Sequence, residues 1–291
     1  MTAFSVIIPT YNRLSLLQRA IASILAQSHP VDEIIIIDDG STDKTAEWVQ
    51  NLNEPHIQYI HQSNAGPAAA RNLGVQRANG EWIALLDSDD EWLSNKIKVQ
   101  LEFLQKNSDY QVCQCEEIWL KNGQRINPHK KHQKHSGWIF KECLPLCIVS
   151  PSATVFSKKL FLEVGGFDGN LPVCEDYDLW LRMALRSPMM TLSEPQIVKY
   201  GGHADQLSKR HWGMDRFRVQ SLEKILQQEK LTPEQKTWLL EELIHKLKIL
   251  SQGFKKRHPL VENPYEEKII KCHSEPSRVK NLHFRKSLCK S

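Results

Sequence analysis

The sequence predicts an α/β protein with a mainly parallel central sheet flanked by helices, followed by a helical C-terminal extension. Over about the first hundred residues, short β-rich runs alternate with segments whose apolar residues recur at helical spacing. Four strand–helix pairs in succession favour a parallel sheet, because each helix returns the chain to begin the next strand in the same direction. Beyond about Trp212 the apolar pattern becomes helical.

The first half alternates regularly between the two kinds of element. Strands are predicted at residues 5–8, 33–37, 57–60 and 82–86. Helices are predicted at residues 16–25, 41–52 and 66–78, with Ser41 as the N-cap of the second, and a fourth helix is predicted to start at Asn95 or Lys96. The run that begins at Glu33 is continuous and β-branched, which is typical of a strand covered on both faces.

The second half has a mixed pattern. Strands are expected near residues 112–119, 153–157 and 197–200, with a helix over residues 177–186. Thr232 and Pro233 then have the character of an N-cap and first residue of a long helix. We predict one domain over residues 1–210 and a helical extension with a basic tail over residues 211–291.

Composition excludes several classes of protein. The 38 Lys and Arg against 34 Asp and Glu give a net charge of only +4, so we expect no nucleic-acid partner. No apolar run approaches the roughly 20 residues of a membrane span, and no signal-peptide pattern precedes Phe4, so we expect a cytoplasmic protein.

The seven cysteines are expected to be reduced thiols. Cys113, Cys115, Cys143 and Cys147, near histidines 129, 132 and 135, fit no common zinc spacing well. We therefore interpret the polar segment around these histidines as a solvated loop.

Polar side chains follow three of the predicted strands at the point where each strand ends. The segments are Pro9-Thr10-Tyr11-Asn12-Arg13, Asp38-Asp39-Gly40-Ser41 and Asp87-Ser88-Asp89-Asp90. In parallel sheets, ligands bind outside the carboxyl ends of the strands. Carboxylates gathered there repel one another unless a cation lies between them, so the pattern predicts a cation-dependent ligand site.

Five motifs in order resemble the family 2 glycosyltransferases, which have the GT-A fold. The first four are Val6-Ile7-Ile8-Pro9-Thr10-Tyr11-Asn12, Asp38-Asp39-Gly40-Ser41-Thr42-Asp43, Asn64-Ala65-Gly66-Pro67-Ala68-Ala69-Ala70-Arg71-Asn72-x-Gly74 and Asp87-Ser88-Asp89-Asp90. The fifth runs from Val164-Gly165-Gly166-Phe167-Asp168 to Glu175-Asp176-Tyr177-Asp178-Leu179-Trp180-Leu181-Arg182. Each motif alone is weak, but the ordered set over roughly residues 4–205 is a strong signal.

The resemblance implies an inverting transferase that uses a nucleotide-diphosphate sugar, with uridine the commonest base, and Mg²⁺ or Mn²⁺. Residues 1–110 would bind the nucleotide and residues 111–210 the acceptor. The implied donor-binding residues are Pro9, Thr10, Tyr11, Asp39, Arg71, Asp87 and Ser88. Asp89 would be the main metal ligand, with Asp87 and His203 beside it, and Asp176 would be the general base, with Glu175 next to it.

Several of these roles have a simpler alternative. The segment Asp87-Ser88-Asp89-Asp90 could be only a solvated acidic turn, since Asp and Ser are common turn formers. Tyr11 could be a core residue, and Arg71 could form a surface ion pair. Glu175 and Asp176 could have no other role than to stabilise a helix N-terminus. His203 could be an ordinary surface histidine.

Two other functions also stay open. A nucleotidyltransferase that makes activated sugars would share the metal-dependent nucleotide sheet, but its usual glycine-rich first loop is missing after Pro9. A non-catalytic nucleotide-sugar binder would need no base.

The acceptor is expected to be a glycan or glycolipid, such as a precursor of lipopolysaccharide or another surface polysaccharide. Basic residues 255–257 could contact anionic lipid at the inner face of the cell membrane, although a solvated surface is the better explanation of so small a cluster.

Overall fold

The computed structural model describes residues 4–52, 54–202 and 211–274. The chain divides into two compact units, Met1–Arg210 and His211–Ser291. Within the described part of the first unit, nine strands form one sheet. They are β1 (Phe4–Thr10), β2 (Glu33–Asp38), β3 (Ile57–His61), β4 (Trp82–Leu85), β5 (Glu91–Trp92), β6 (Val112–Lys121), β7 (Gln124–Ile126), β8 (Thr154–Ser157) and β9 (Met189–Gly201).

Helices connect these strands. They are α1 (Leu14–Leu25), α2 (Thr45–Gln50), α3 (Pro67–Arg77), α4 (Lys96–Lys106), α5 (Phe140–Cys143), α6 (Lys158–Glu163) and α7 (Glu175–Ala184). The predicted α/β class is thereby confirmed.

The sheet has a parallel half and a mixed half. Its order is β3-β2-β1-β4-β8-β6-β9-β5, and β7 pairs with β6. The first four strands in this order are parallel, whereas β8 runs antiparallel to both β4 and β6. Strands β6 and β9 are again parallel. Three carboxyl ends, those of β1, β2 and β4, therefore lie side by side in the parallel half.

Burial explains why the parallel half forms. The continuous run Ile34, Ile35, Ile36 and Ile37 is fully buried, as expected for a strand covered on both faces. Helix α3 approaches the sheet closely at Gly74, where a Cβ atom would lie 2.2 Å from Cγ2 of Ile7. The missing side chain thus lets α3, and the Arg71 that it carries, lie against β1.

Some predicted boundaries were wrong. Helix α2 begins at Thr45 rather than at Ser41, because the Ser41 side chain accepts a hydrogen bond from the Asn12 amide at 2.8 Å instead of capping the helix. Helix α7 begins at Glu175, two residues before the predicted start, and β9 begins at Met189. The short strands β5 and β7 were not predicted.

The second unit is helical in its described part. Its helices are α8 (Asp215–Gln228), α9 (Pro233–Arg257) and α10 (Pro264–Ser274). Thr232 caps α9 in a capping box with Gln235, as its sequence predicts. Helix α10 was not predicted, and the end of the basic tail lies outside the described residues. Across the described ranges, no helix is both long enough and apolar enough to cross a membrane.

Candidate functional site

Asn12 ties the loop after β1 to the loop after β2. Its backbone is left-handed, with φ 51°. Its side-chain oxygen accepts hydrogen bonds from the amides of Thr42 and Asp43, at 2.7 and 3.2 Å. Asp43 in turn accepts from the amides of Leu14 and Thr45, the first residues of α1 and α2, at 3.2 and 3.0 Å. These hydrogen bonds hold the two loops together at the carboxyl edge of the sheet.

Asp39 organises the segment that leads into α3. Its carboxylate accepts from Gln62 Nε2 at 2.6 Å, from the Ala65 amide at 2.8 Å and from the Gly66 amide at 2.9 Å. A carboxylate has about four acceptor positions, so these three bonds leave room for about one more donor. Asp39 is therefore fixed in place, and about one acceptor position remains for the predicted hydrogen bond from a nucleotide.

Arg71 is a buried arginine that joins the two halves of the first unit. Its Nη2 atom lies 2.7 Å from Asp87 Oδ1, and its Nη1 atom lies 2.7 Å from Glu175 Oε1. Burial alone would lower the pKa of Arg71, but the charges of Asp87 and Glu175 hold it above its ordinary value. The predicted alternative of a surface ion pair is wrong, because the side chain is only 7% exposed.

The two carboxylates respond differently to Arg71. Burial would raise the pKa of Asp87, yet the Arg71 charge and hydrogen bond hold it below its ordinary value, so Asp87 stays ionised. The pKa of Glu175 is raised by burial and by the neighbouring charge of Asp176, with Arg71 opposing both.

Asp89 lies beside a second arginine. Its Oδ2 atom is 3.2 Å from Nη1 of Arg13, and its side chain is 18% exposed. Its backbone oxygen accepts from Nη2 of Arg19 at 2.6 Å, and the Arg19 guanidinium lies 3.7 Å from the ring centroid of Tyr200. The Asp89 backbone is thus held from α1, and its carboxylate remains partly accessible.

Asp90, to which the sequence assigned no role, is a buried structural link. It accepts from Oγ of Ser152 at 2.6 Å and from the amide of Tyr200 at 3.2 Å. Burial raises its pKa to about 8, the charge of Lys199 opposes this, and Asp89 adds to it. Asp90 therefore links strand β9 to the loop that follows β4.

Lys199 is a site residue that sequence reasoning missed. Its ammonium donates to Oγ of Ser150 at 3.1 Å. Burial lowers the pKa of Lys199, but four surrounding carboxyl groups raise it above its ordinary value. These groups belong to Glu117, Asp90, Asp87 and Asp176. Only the pairing of β9 with β5 and β6 brings this lysine to the site, and the sequence contains no local signal of that pairing.

Asp176 lies in the first turn of α7, next to Glu175. Its Oδ1 atom accepts from the amide of Tyr177 at 2.7 Å, and its Oδ2 atom accepts from Sγ of Cys147 at 3.4 Å. Asp176 is partly exposed, whereas Glu175 is buried. Of the two acidic side chains, Asp176 is therefore the more accessible to solvent.

The remaining predicted residues differ in accessibility. Tyr11 is 43% exposed, so the alternative that it is a core residue is wrong. Pro9 is half-buried, whereas Thr10 and Ser88 are buried, and the Thr10 backbone oxygen accepts from the Asp39 amide at 2.8 Å. His203 lies outside the described residues.

The donor atoms at this edge suit a hard cation bound together with phosphate. Within the described ranges, no group of three or more His, Cys, Asp or Glu residues is arranged to hold a metal. Asp87 and Asp89 offer carboxylate oxygens, and Mg²⁺ typically takes one or two such ligands and completes its coordination with phosphate and water. The residues fit this mode and do not fit a protein-only cage. The cysteines of the described residues, including Cys113, Cys115, Cys143 and Cys147, are free thiols.

The family model for glycosyl transferase family 2 matches residues 5–165. The chain belongs to this family. The predicted family is therefore confirmed, and it favours a glycosyltransferase over the nucleotidyltransferase alternative.

Relatives of this chain are also named as glycosyltransferases. An uncharacterized glycosyltransferase of Rickettsia felis is 38% identical over 193 residues, which cover 64% of this chain and 31% of that protein. A putative colanic acid biosynthesis glycosyl transferase of Escherichia coli, WcaA, is 32% identical over 62% of this chain and 66% of its own length. A putative teichuronic acid biosynthesis glycosyltransferase of Bacillus subtilis, TuaG, is 43% identical over 36% of this chain and 42% of its own length. The chain thus matches about a third of the length of the Rickettsia felis relative.

Solved structures of glycosyltransferases share the GT-A fold of this chain. Staphylococcus aureus TarS residues 1–349, in complex with UDP-GlcNAc, superposes with a TM-score of 0.73 at 21% identity, over 93% of this chain and 79% of that one. The mannosyltransferase PcManGT of Pyrobaculum calidifontis, in complex with GDP-Man and Mn²⁺, gives a TM-score of 0.62 at 17% identity, over 94% and 81% of the two chains. The predicted fold is thereby confirmed.

Proposed function

We propose that this glycosyltransferase moves a sugar, with inversion, from a UDP-sugar to a glycan or lipid-linked glycan acceptor. The observation that carries the proposal is the buried Arg71, which reaches Asp87 and Glu175 at 2.7 Å each. It holds a carboxylate of the nucleotide-binding edge next to the start of α7, where Asp176 lies. One site thus contains both the groups for a charged donor and a candidate base.

The donor would lie along the carboxyl ends of β1, β2 and β4. Tyr11 is exposed and would stack on the base, and Asp39 would accept one hydrogen bond from the base or ribose. Arg71 and Asp87 would face the ribose and diphosphate. Pro9, Thr10 and Ser88 are mostly buried, so we propose that they shape the wall of the pocket.

We propose Mg²⁺ or Mn²⁺ as the cofactor, held by Asp89 with Asp87. When bound, the ion supplies positive charge that stabilises the diphosphate as it leaves. Asp87 stays ionised because of Arg71, and Asp89 is accessible, which supports this assignment. The predicted role of His203 as a third ligand remains a proposal.

Asp176 would act as the general base. The acceptor hydroxyl attacks the anomeric carbon from the face opposite the leaving diphosphate, which inverts the configuration, and Asp176 takes the hydroxyl proton. Cys147 would orient Asp176, since its thiol donates to Oδ2 of that residue. The Glu175 carboxylate contacts the Arg71 guanidinium and would hold that arginine in position.

The relatives named for colanic and teichuronic acid biosynthesis support an acceptor from a surface polysaccharide. We propose the cytoplasmic side of the membrane as the place of action. Peripheral membrane contact through residues 255–257 receives less support, because Lys255 pairs with Glu266 at 2.5 Å and Arg257 lies 4.9 Å from the ring of Trp212.

A donor-hydrolysis screen tests the proposal. The full chain is incubated with Mn²⁺ and each of a panel of UDP-, GDP- and dTDP-sugars, and release of the nucleoside diphosphate is measured. We expect release from one or more UDP-sugars that is lost with EDTA. Release of pyrophosphate from UTP and a sugar phosphate, without any donor hydrolysis, would instead establish a nucleotidyltransferase.

A further inference from the structure

A strongly basic segment separates β6 from α5. Between Glu117 and Glu142 the sequence contains three histidines and no Asp or Glu. Its Lys and Arg residues are Lys121, Arg125, Lys130, Lys131, Lys134 and Lys141. We call residues 127–136 the basic loop. Lys130 and Lys131 lie within it and are exposed.

The basic loop is anchored on the sheet. Lys134 is 5% exposed, and its ammonium donates to the backbone oxygen of Cys115 and to Oε1 of Glu117, both at 2.9 Å. The rings of His132 and Trp119 lie 5.3 Å apart. The Thr191 hydroxyl donates to the backbone oxygen of His135 at 2.8 Å. Three attachments of this kind hold the exposed lysines in a defined position, which a merely solvated segment would not need.

The anchor points lie beside the proposed site. Trp119 pairs with Lys199 in the β6–β9 register, and the Lys199 ammonium lies 5.9 Å from the Trp119 ring centroid. The next residue, Tyr200, donates its amide to Asp90 at 3.2 Å. The basic loop is therefore connected, through one pair of strands, to the loop that contains Asp87 and Asp89.

The basic loop contains Lys130, Lys131 and Lys134 and no Asp or Glu, so every formally charged side chain in it is positive. The pKa of His132 is lowered by burial and by the charges of Lys131 and His129. Fixed like charges beside a cleft attract an oppositely charged ligand and raise its local concentration. The diphosphate of the proposed donor would already have positive charge near it at the nucleotide edge, from Arg13 beside Asp89, from Arg71 beside Asp87 and from the proposed metal. The anion that fits the basic loop is therefore on the other substrate.

We propose that the basic loop binds negatively charged groups of the acceptor, so that the acceptor is an anionic glycan. This inference rests on the proposed function, and it narrows the acceptor class. Lys130 and Lys131 would contact the carboxylate or phosphate groups, while Lys134 and His132 hold the loop in place.

Binding of a defined acidic glycan tests the inference. The probes are oligogalacturonate and the same oligomer with its carboxyl groups methyl-esterified, titrated into the full chain by calorimetry. The variants are the double charge reversal Lys130→Glu with Lys131→Glu and, as a matched control, Lys98→Glu with Lys106→Glu on exposed positions of α4. Thermal unfolding shows whether each variant is folded.

We expect the wild type to bind oligogalacturonate at least about tenfold more tightly than the ester, with affinity that falls as salt rises. The loop variant should lose about tenfold and the α4 variant should lose little. Equal affinity for the two oligomers, or equal loss in both variants, would overturn the inference. So would binding to phosphatidylglycerol vesicles that needs Lys130 and Lys131 when oligogalacturonate binding does not.

A separate titration with UDP and Mn²⁺ distinguishes the two proposals. If the wild type fails to bind UDP, the proposed donor site is wrong while the glycan result still stands. If UDP binds and oligogalacturonate shows no preference over its ester, only the anionic acceptor is excluded.

Discussion

The guanidinium of Arg71 lies 2.7 Å from the carboxylate of Asp87. This contact balances the charge of a half-buried carboxylate before any substrate binds, and it fixes the direction in which Asp87 points. The second terminal nitrogen of Arg71, Nη1, likewise balances the charge of the Glu175 carboxylate and fixes its direction. One side chain on α3 therefore sets the positions of acidic residues from two distant parts of the sequence.

Replacing Arg71 should destabilise the first unit. Arg71→Met leaves Asp87 and Glu175 without their common partner, and removal of one member of a buried ion pair costs about 3 kcal/mol or more. Urea denaturation measures the change. Arg77→Met, at an exposed position of the same helix, is the control and should change stability by less than about 0.5 kcal/mol. Equal effects of the two substitutions would show that the ion pairs of Arg71 add no stability.

Replacing Asp176 should separate binding from chemistry. Asp176→Asn removes the proposed proton acceptor but keeps the size of the side chain, so we expect turnover to fall by ~10²–10⁴-fold with UDP affinity unchanged. Steady-state kinetics with the donor from the hydrolysis screen measures this. Asp109→Asn, at an exposed turn, is the control. Unchanged turnover in Asp176→Asn would remove this residue from the role of base.

Replacing Asp89 should abolish the metal-dependent part of donor binding. We expect Asp89→Ala to bind UDP equally with Mn²⁺ and with EDTA, whereas the wild type binds more tightly with Mn²⁺, because the proposed ligand oxygen is gone. Calorimetry under both conditions gives the comparison. A variant that retains the full Mn²⁺ effect would exclude Asp89 as a ligand.

Glu117 should make stability depend on acid pH. Burial raises its pKa, but Lys199, Lys134 and the hydrogen bonds from Lys134 and Trp119 lower it to about 2. A depressed carboxylate pKa stabilises the fold above the unfolded value near 4.5, and this contribution is lost as pH falls from there toward 2. It amounts to about 3 kcal/mol at neutral pH.

Glu117→Gln should therefore be less stable than the wild type at pH 7, and the difference should shrink as pH falls below about 4.5. Urea denaturation at several pH values measures it, with Glu102→Gln at an exposed position as the control. A difference that stays constant down to pH 3 would contradict the depressed pKa.

The sequence predicted the parallel half of the fold well because its signals are local. Each strand–helix pair has its own apolar period, and the polar motifs fall directly at strand ends, which located Asp39, Asp87 and Asp89. The mixed half was harder, since β5 has two residues and β9 contains Pro195, so neither has a clear period. Lys199 went unnoticed for the same reason, because its position depends on strand pairing over about a hundred residues of sequence.

Side-chain partners were also beyond sequence reasoning. The sequence suggested a donor-binding arginine at position 71 or a surface ion pair, but not a buried link to Glu175. That link requires α3 to lie against the sheet at Gly74 and α7 to begin at Glu175, and both are consequences of packing.

The double attachment of Asp43 has a consequence for local unfolding. A single carboxylate accepts from the first amides of α1 and α2, and Asn12 bonds to the same turn. Opening either loop breaks bonds that hold the other, so neither can fray alone at low cost. The amides of Leu14, Thr42 and Thr45 should therefore exchange with solvent deuterium as one cooperative unit, which makes this corner of the nucleotide edge rigid in the absence of ligand.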